Sequence, residues 1–239
     1  MKRFWETAEA IAQQDGWTIL LDGKPLRLPG ADAAASGFTL PNAALAQAIA
    51  AEWQSAGGAA GGEMTYDDVP LTRLAGTAQL RVAAARDAVV AEIARYGESD
   101  LLCYRADQPQ ALVQAQHMQW QPWLDWAAET LGAGLQVTTG IIHVPQPADA
   151  LQTLARAVAA QDAYRLAALG VLVPSYGSLV LGLAVAHGAL AASEAHEIAT
   201  LDERHQASFW GWDAEAEARM QRVAEDVAVA GRLIDLVAA

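Results

Sequence analysis

Only one cysteine, Cys103, occurs in the 239 residues. No internal disulfide can form, and a reducing, cytoplasmic setting is expected. Basic residues are scarce: 15 Lys plus Arg stand against 28 Asp plus Glu, a formal charge of −13. No cluster of them offers the footprint that a phosphate backbone requires, so no nucleic acid is expected as a partner. A basic protein surface suits this charge better, because complementary potentials steer encounter. The opening MKRFWETAEA lacks both the apolar centre of a secretory signal and the Arg- and Ser-rich character of an organellar leader. Also missing are a P-loop, a dinucleotide fingerprint and a G-x-S-x-G elbow; the Ser in VPSYGSLVLG is out of register for the last. No catalytic residue, cofactor site or metal site is therefore assigned, and no enzyme is expected. One long uncharged run exists, residues 166–192, with the length of a membrane span. Its centre, PSYGS, divides it into two arms too short to cross, and no basic cluster flanks it. A buried helical hairpin is expected there, without membrane insertion.

What is present suffices for a core, since 53% of the residues are hydrophobic. The stretch GWTILLDGKPLRLPG carries an Asp22-Gly23 pair between apolar runs, a strong hairpin signal. LPNAALAQAIAAEWQ predicts a helix with Asn42 as N-cap and Leu45, Ile49 and Trp53 on one face. The glycines of GGAAGG, residues 57–62, end it. From Pro70 the pattern is helical over 70–95, 108–131, 148–171, 174–191, 193–210 and 213–237, interrupted by an extended LQVTTGIIHVP. The fold class expected is α+β: a small β-rich domain over residues 1–80, then a helical domain over 81–239, divided within about 15 residues of that position.

Candidate chemistry is sparse. Cys103 sits among Leu101, Leu102 and Tyr104, with no neighbour of the kind that activates a thiolate, and reads as a packed thiol. Ser99 or Asp100 reads as a cap before it, with Arg105 available for an ion pair. In HEIATLDERH the residues Asp202, Glu203 and His205 suggest an alternative, a small-molecule enzyme or metal-binding helical protein. The second His of H-E-x-x-H is absent after His196, and no other helix supplies a matching E-x-x-H. Eight tryptophans against three phenylalanines point instead to contact surfaces. On a helix through this region Ile198, Leu201, His205 and Phe209 form the expected core stripe. Ala199, Glu203, Gln206 and Trp210 form a second stripe, turned by about 100°, with the character of a protein-binding patch.

The motifs together resemble the family of ATP synthase alpha-subunit assembly chaperones, as a bacterial member. Its R-F-W is matched by Arg3, Phe4 and Trp5, its L-D-G-x-P by Leu21, Asp22, Gly23 and Pro25, and its L-A-x-A-I-A-x-E-W by residues 45–53. P-L-T is matched at Pro70, Leu71 and Thr72, and Y-x-x-S/T-D-L-L-C-Y-R-A, the most specific element, at residues 96–106. Gln116, Trp120, Pro122 and Trp126 follow, then Gly140, Ile141 and Gln146, then Gly177 and Ser178. Asp202, Glu203, Gln206, Trp210, Gly211, Asp213, Glu215 and Ala216 close the pattern. The resemblance implies a β-rich N-terminal domain and a C-terminal all-α orthogonal helical bundle. It also implies a chaperone without enzymatic activity, which binds the unassembled alpha subunit and shields its interface until the beta subunit replaces it. Trp53, Glu203, Gln206, Trp210 and Glu215 are the partner-facing candidates.

Overall fold

The computed structural model describes residues 1–28, 38–211 and 213–239, without the side chain of Trp210. Its contacts group the chain into two compact units. One comprises Met1–Ala84 with Ala163–Ala167 and Arg232–Ala239, the other Ala85–Asp162 with Ala168–Gly231.

In the first unit, β1 (Ala8–Gln13), β2 (Gly16–Leu21) and β3 (Lys24–Pro25) form an antiparallel meander in that order. The register runs from Ala8 opposite Leu21 to Gln13 opposite Gly16, with Leu21 opposite Lys24. Asp22 and Gly23 make the turn with φ of 47° and 75°, the two left-handed positions of the expected hairpin. Asp22 tolerates that conformation because its carboxylate is held by the Glu6 and Thr7 N–H groups and the Thr7 hydroxyl. α1 (Ala43–Ser55) covers the sheet, and Asn42 caps it by accepting from the Leu45 N–H at 2.9 Å. The Asn42 amide also donates to the carbonyls of Leu236 and Val237, at the end of α10 (Ala214–Ala238). α2 (Pro70–Thr77) continues into a π turn over Ala78–Val82.

The second unit is built on α3 (Arg86–Ala94), α4 (Gln110–Trp126), α5 (Ala148–Ala159), most of α6 (Ala163–Tyr176), α7 (Leu179–Ala186), α8 (Ala192–Ala199), α9 (Leu201–Trp210) and most of α10. Two short strands, β4 (Tyr104–Arg105) and β5 (Thr138–Thr139), pair in parallel within it. β5 lies in the stretch expected to be extended. The uncharged run becomes α6 and α7, both lined with buried residues. A Cβ at Gly182 would lie 2.5 Å from a Val173 methyl, so these two helices meet as closely as glycine permits. No helix among the described residues is long and apolar enough to cross a membrane.

The α+β class holds, with a small N-terminal sheet followed by helices. Several helices are shorter than the periodicity predicts. The segment 148–171 divides after Ala159, and 193–210 divides at Thr200, whose φ and ψ of −92° and 18° leave the helical region. Pro174 does not break its helix; the break falls at Gly177, with φ of 62°.

Candidate interaction surface

Many residues of the motifs hold the fold together. Arg3 is buried, and its guanidinium donates to the carbonyls of Trp5, Gln54, Ala56, Gly58 and Glu6. Three of these belong to the frayed carbonyl end of α1 and the turn after it, where a cation is favoured. Trp53 is 4% exposed, its ring centred 5.0 Å from the Trp5 ring and tilted 55° to it, and it donates its indole N–H to Thr72 Oγ1 at 2.9 Å. Its assignment as a partner-facing residue is therefore corrected: the period that placed it with Leu45 and Ile49 directs it into the core. Glu52 beside it accepts from the N–H groups of Leu71 and Thr72 at 2.7 and 3.1 Å. The N-terminus of α2, which lacks a side-chain cap of its own, is thus capped from α1. Burial pushes the Glu52 carboxyl upward against these bonds.

The opening of the 96–106 motif is similar in kind. Asp100 is fully buried and accepts from Leu102 N–H, Ser178 Oγ and Val180 N–H, joining this turn to the start of α7. Burial raises its carboxyl to about 6 in spite of those donors. Cys103 is buried, and burial with the nearby Asp100 charge pushes its thiol up to about 12, the reverse of activation. Among the described residues Arg105 has no ion-pair partner; it donates to the carbonyls of Leu102 and Gln116 and lies 5.4 Å over the Trp120 ring.

In the first unit Phe4 is 70% exposed beside the buried Arg3 and Trp5, and the second unit carries further exposed residues. Glu203, Gln206 and Glu215 are exposed, as a partner-facing role requires. The side chain of Trp210 lies outside the described residues. Asp202 accepts from the Gln116 amide at 2.8 Å, which ties α9 to α4. Phe209 was expected in the core stripe but is 68% exposed, against the edge of His205. The Thr200 break does not account for this, since Leu201, His205 and Phe209 all lie in α9: burial falls along that helix from Leu201 at 7% exposure to Phe209. The ring atoms His196 Nδ1 and His205 Nε2 are buried without a hydrogen-bond partner among the described residues, and burial lowers the His196 pKa first of all. Among the described residues no group of three or more His, Cys, Asp or Glu side chains could hold a metal ion.

Sequence reasoning did not single out the loop after β5 as exposed. Ile141 is 96% exposed and Ile142 77%. Gln146 holds the loop's base, accepting from Gln136 N–H at 2.7 Å and donating to Gln136 O at 3.0 Å. Gly140, at φ of 83°, donates to Arg105 O and turns the chain outward just before the isoleucines. Adjacent apolar residues behind a glycine in an otherwise polar loop were the available signal.

The molecule is thus an α+β protein whose motif residues secure its packing, while apolar and acidic side chains stand on its surface. A model of the family described as ATP12 chaperone protein matches residues 2–128. The chain belongs to the ATP12 chaperone family, the ATP synthase assembly chaperones whose pattern its motifs follow. The crystal structure of Atp12 from Paracoccus denitrificans is similar at 43% identity, covering 99% of this chain and 98% of that one, with a TM-score of 0.91. A mutant of the P. denitrificans protein is 42% identical over 99% and 97% of the two chains, also with a TM-score of 0.91. A protein from Agrobacterium tumefaciens is 36% identical over 98% and 85%, with a TM-score of 0.86.

Proposed function

We propose that the protein binds the unassembled alpha subunit of the ATP synthase catalytic sector and shields its subunit interface until the beta subunit displaces it. It does so without catalysis or a cofactor, in the cytoplasm. The observation that carries this reading is the presence of Ile141, Ile142 and Phe209 at the surface of a chain that belongs to a chaperone family. A subunit awaiting its neighbours exposes apolar surface that drives aggregation, and a partner that covers that surface transiently removes it from the competing pathway. Fixed apolar side chains on a clamped loop can do this with little ordering cost. Glu203, Gln206 and Glu215 are the exposed polar candidates for the same contact, with Trp210 a further candidate. Release by exchange needs only that the beta subunit bury more area than the chaperone does.

The test mixes the purified protein with refolding alpha subunit and follows light scattering and gel filtration. Suppressed scattering and a stoichiometric complex, dissolved by adding beta subunit, are expected. Unchanged scattering with no complex would refute the reading.

A further inference from the structure

A groove of about 290 Å³ lies between α4 and α8, lined by Met118, Gln119, Pro122 and Trp123 from the first and by Glu194, Glu197 and Ile198 from the second. The two helices are fixed to each other here, because the buried Trp120 donates its indole N–H to Ile198 O at 2.9 Å. The groove wall on α4 is apolar apart from Gln119: Met118 is 74% exposed and Trp123 is half-buried. The wall on α8 is acidic, with both glutamates exposed and neither in an ion pair among the described residues. Arg204 forms no ion pair with Glu197; its guanidinium donates to the Glu197 main-chain oxygen at 2.8 Å. No Lys or Arg lines the groove.

We propose that this groove receives a Lys or Arg side chain from an exposed segment of the client polypeptide. The aliphatic stem lies along Met118 and the Trp123 face, and the cation sits between Glu194 and Glu197. Charge complementarity selects this occupant: a niche with two carboxylates and no Lys or Arg in its lining is matched by a cationic group that only donates. The indole adds attraction for the same cation, most strongly for a guanidinium. The volume, just under the ~300–1,000 Å³ of small-molecule sites, suits one or two side chains. A second copy of this chain is a poor occupant, because two bodies of charge −13 repel. This inference rests on the client-binding reading above and adds the chemistry that the client must present.

The experiment compares wild type, the double variant E194K/E197K and Trp123→Ala, each verified as folded by circular dichroism. Their Kd for purified alpha subunit is measured at low and high salt. In parallel, the proteins are applied to an array of short peptides tiling the alpha subunit, with a matched array carrying Gln in place of every Lys and Arg. The double variant is expected to weaken binding about tenfold and to flatten its salt dependence. Trp123→Ala is expected to weaken binding without altering the salt slope. Wild type should retain Lys- or Arg-bearing peptides that the Gln array and the double variant lose. Wild-type affinity and salt slope in both variants, with no peptide that discriminates, would overturn the proposal. Retention of basic peptides by wild type alone, without a complex with the intact subunit, would support the groove and refute the assignment of the client.

Discussion

At the scale of single residues, polar side chains in the motifs are buried where they satisfy backbone groups, and their chemistry follows from that. Arg3 meets five carbonyl oxygens, a task for a planar fork with five N–H donors that lysine cannot perform. Asp100 does the converse, collecting donors from Leu102, Ser178 and Val180. Burial nevertheless dominates and lifts its carboxyl to about 6, against 3.8 for an unburied Asp. The native state therefore takes up a proton before the unfolded chain does as pH falls. The resulting stabilisation is complete below about 3.8 and is lost as pH rises through about 6. Asp100→Asn removes this titration while keeping one acceptor. Denaturant unfolding between pH 4 and 7 should show wild type losing stability relative to Asp100→Asn with rising pH, at a limiting slope of about 1.4 kcal/mol per unit. Parallel pH profiles for the two proteins would mean that Asp100 stays ionised throughout.

At the scale of elements, the ends of helices decide the architecture. α2 has no side-chain cap of its own and borrows the Glu52 carboxylate from α1, so the E-W and P-L-T motifs are two halves of one contact. The loop after β5 is a comparable construction: Gln146 closes its base and Gly140 turns it, leaving Ile141 and Ile142 with no internal packing to lose. Replacing both by Asp should change the unfolding midpoint by no more than about 0.5 kcal/mol equivalent, yet abolish most of the suppression of alpha-subunit scattering. A protein that suppresses scattering as before would remove the loop from the binding surface. The starts of elements were readable in the sequence because they depend on local chemistry: Asp22-Gly23 for the hairpin, Asn42 for α1. The break at Thr200 was not, since neither Gly nor Pro marks it and the Thr200 hydroxyl instead bonds back to His196 O at 2.7 Å. On α9 itself Glu203 and Gln206 are exposed, while Phe209 leaves the buried stripe that begins at Leu201, because burial ends along the helix where a periodic pattern continues; Trp53 is buried, as its own helical period with Leu45 and Ile49 requires.

At the scale of the whole molecule, exposed apolar side chains and a large net charge belong together. A protein that presents Ile141, Ile142 and Phe209 to solvent invites its own association, which a formal charge of −13 opposes at neutral pH by mutual repulsion. Such protection depends on pH, because the sequence pI is about 4.6 and the charge vanishes as the carboxylates take up protons. The purified protein is therefore expected to remain dispersed at pH 7 and to self-associate progressively as pH falls toward 4.6, or as salt shortens the range of repulsion at neutral pH. Sedimentation velocity across this pH range measures it directly. Replacing Ile141 and Ile142 by Asp should shift the onset to lower pH, through both the lost apolar surface and the added charge. Replacement of both by Gln, which removes the apolar surface without adding charge, separates these causes. If the Gln variant associates at the same pH as wild type, the loop is not the adhesive surface, and Phe209 on α9 becomes the next candidate.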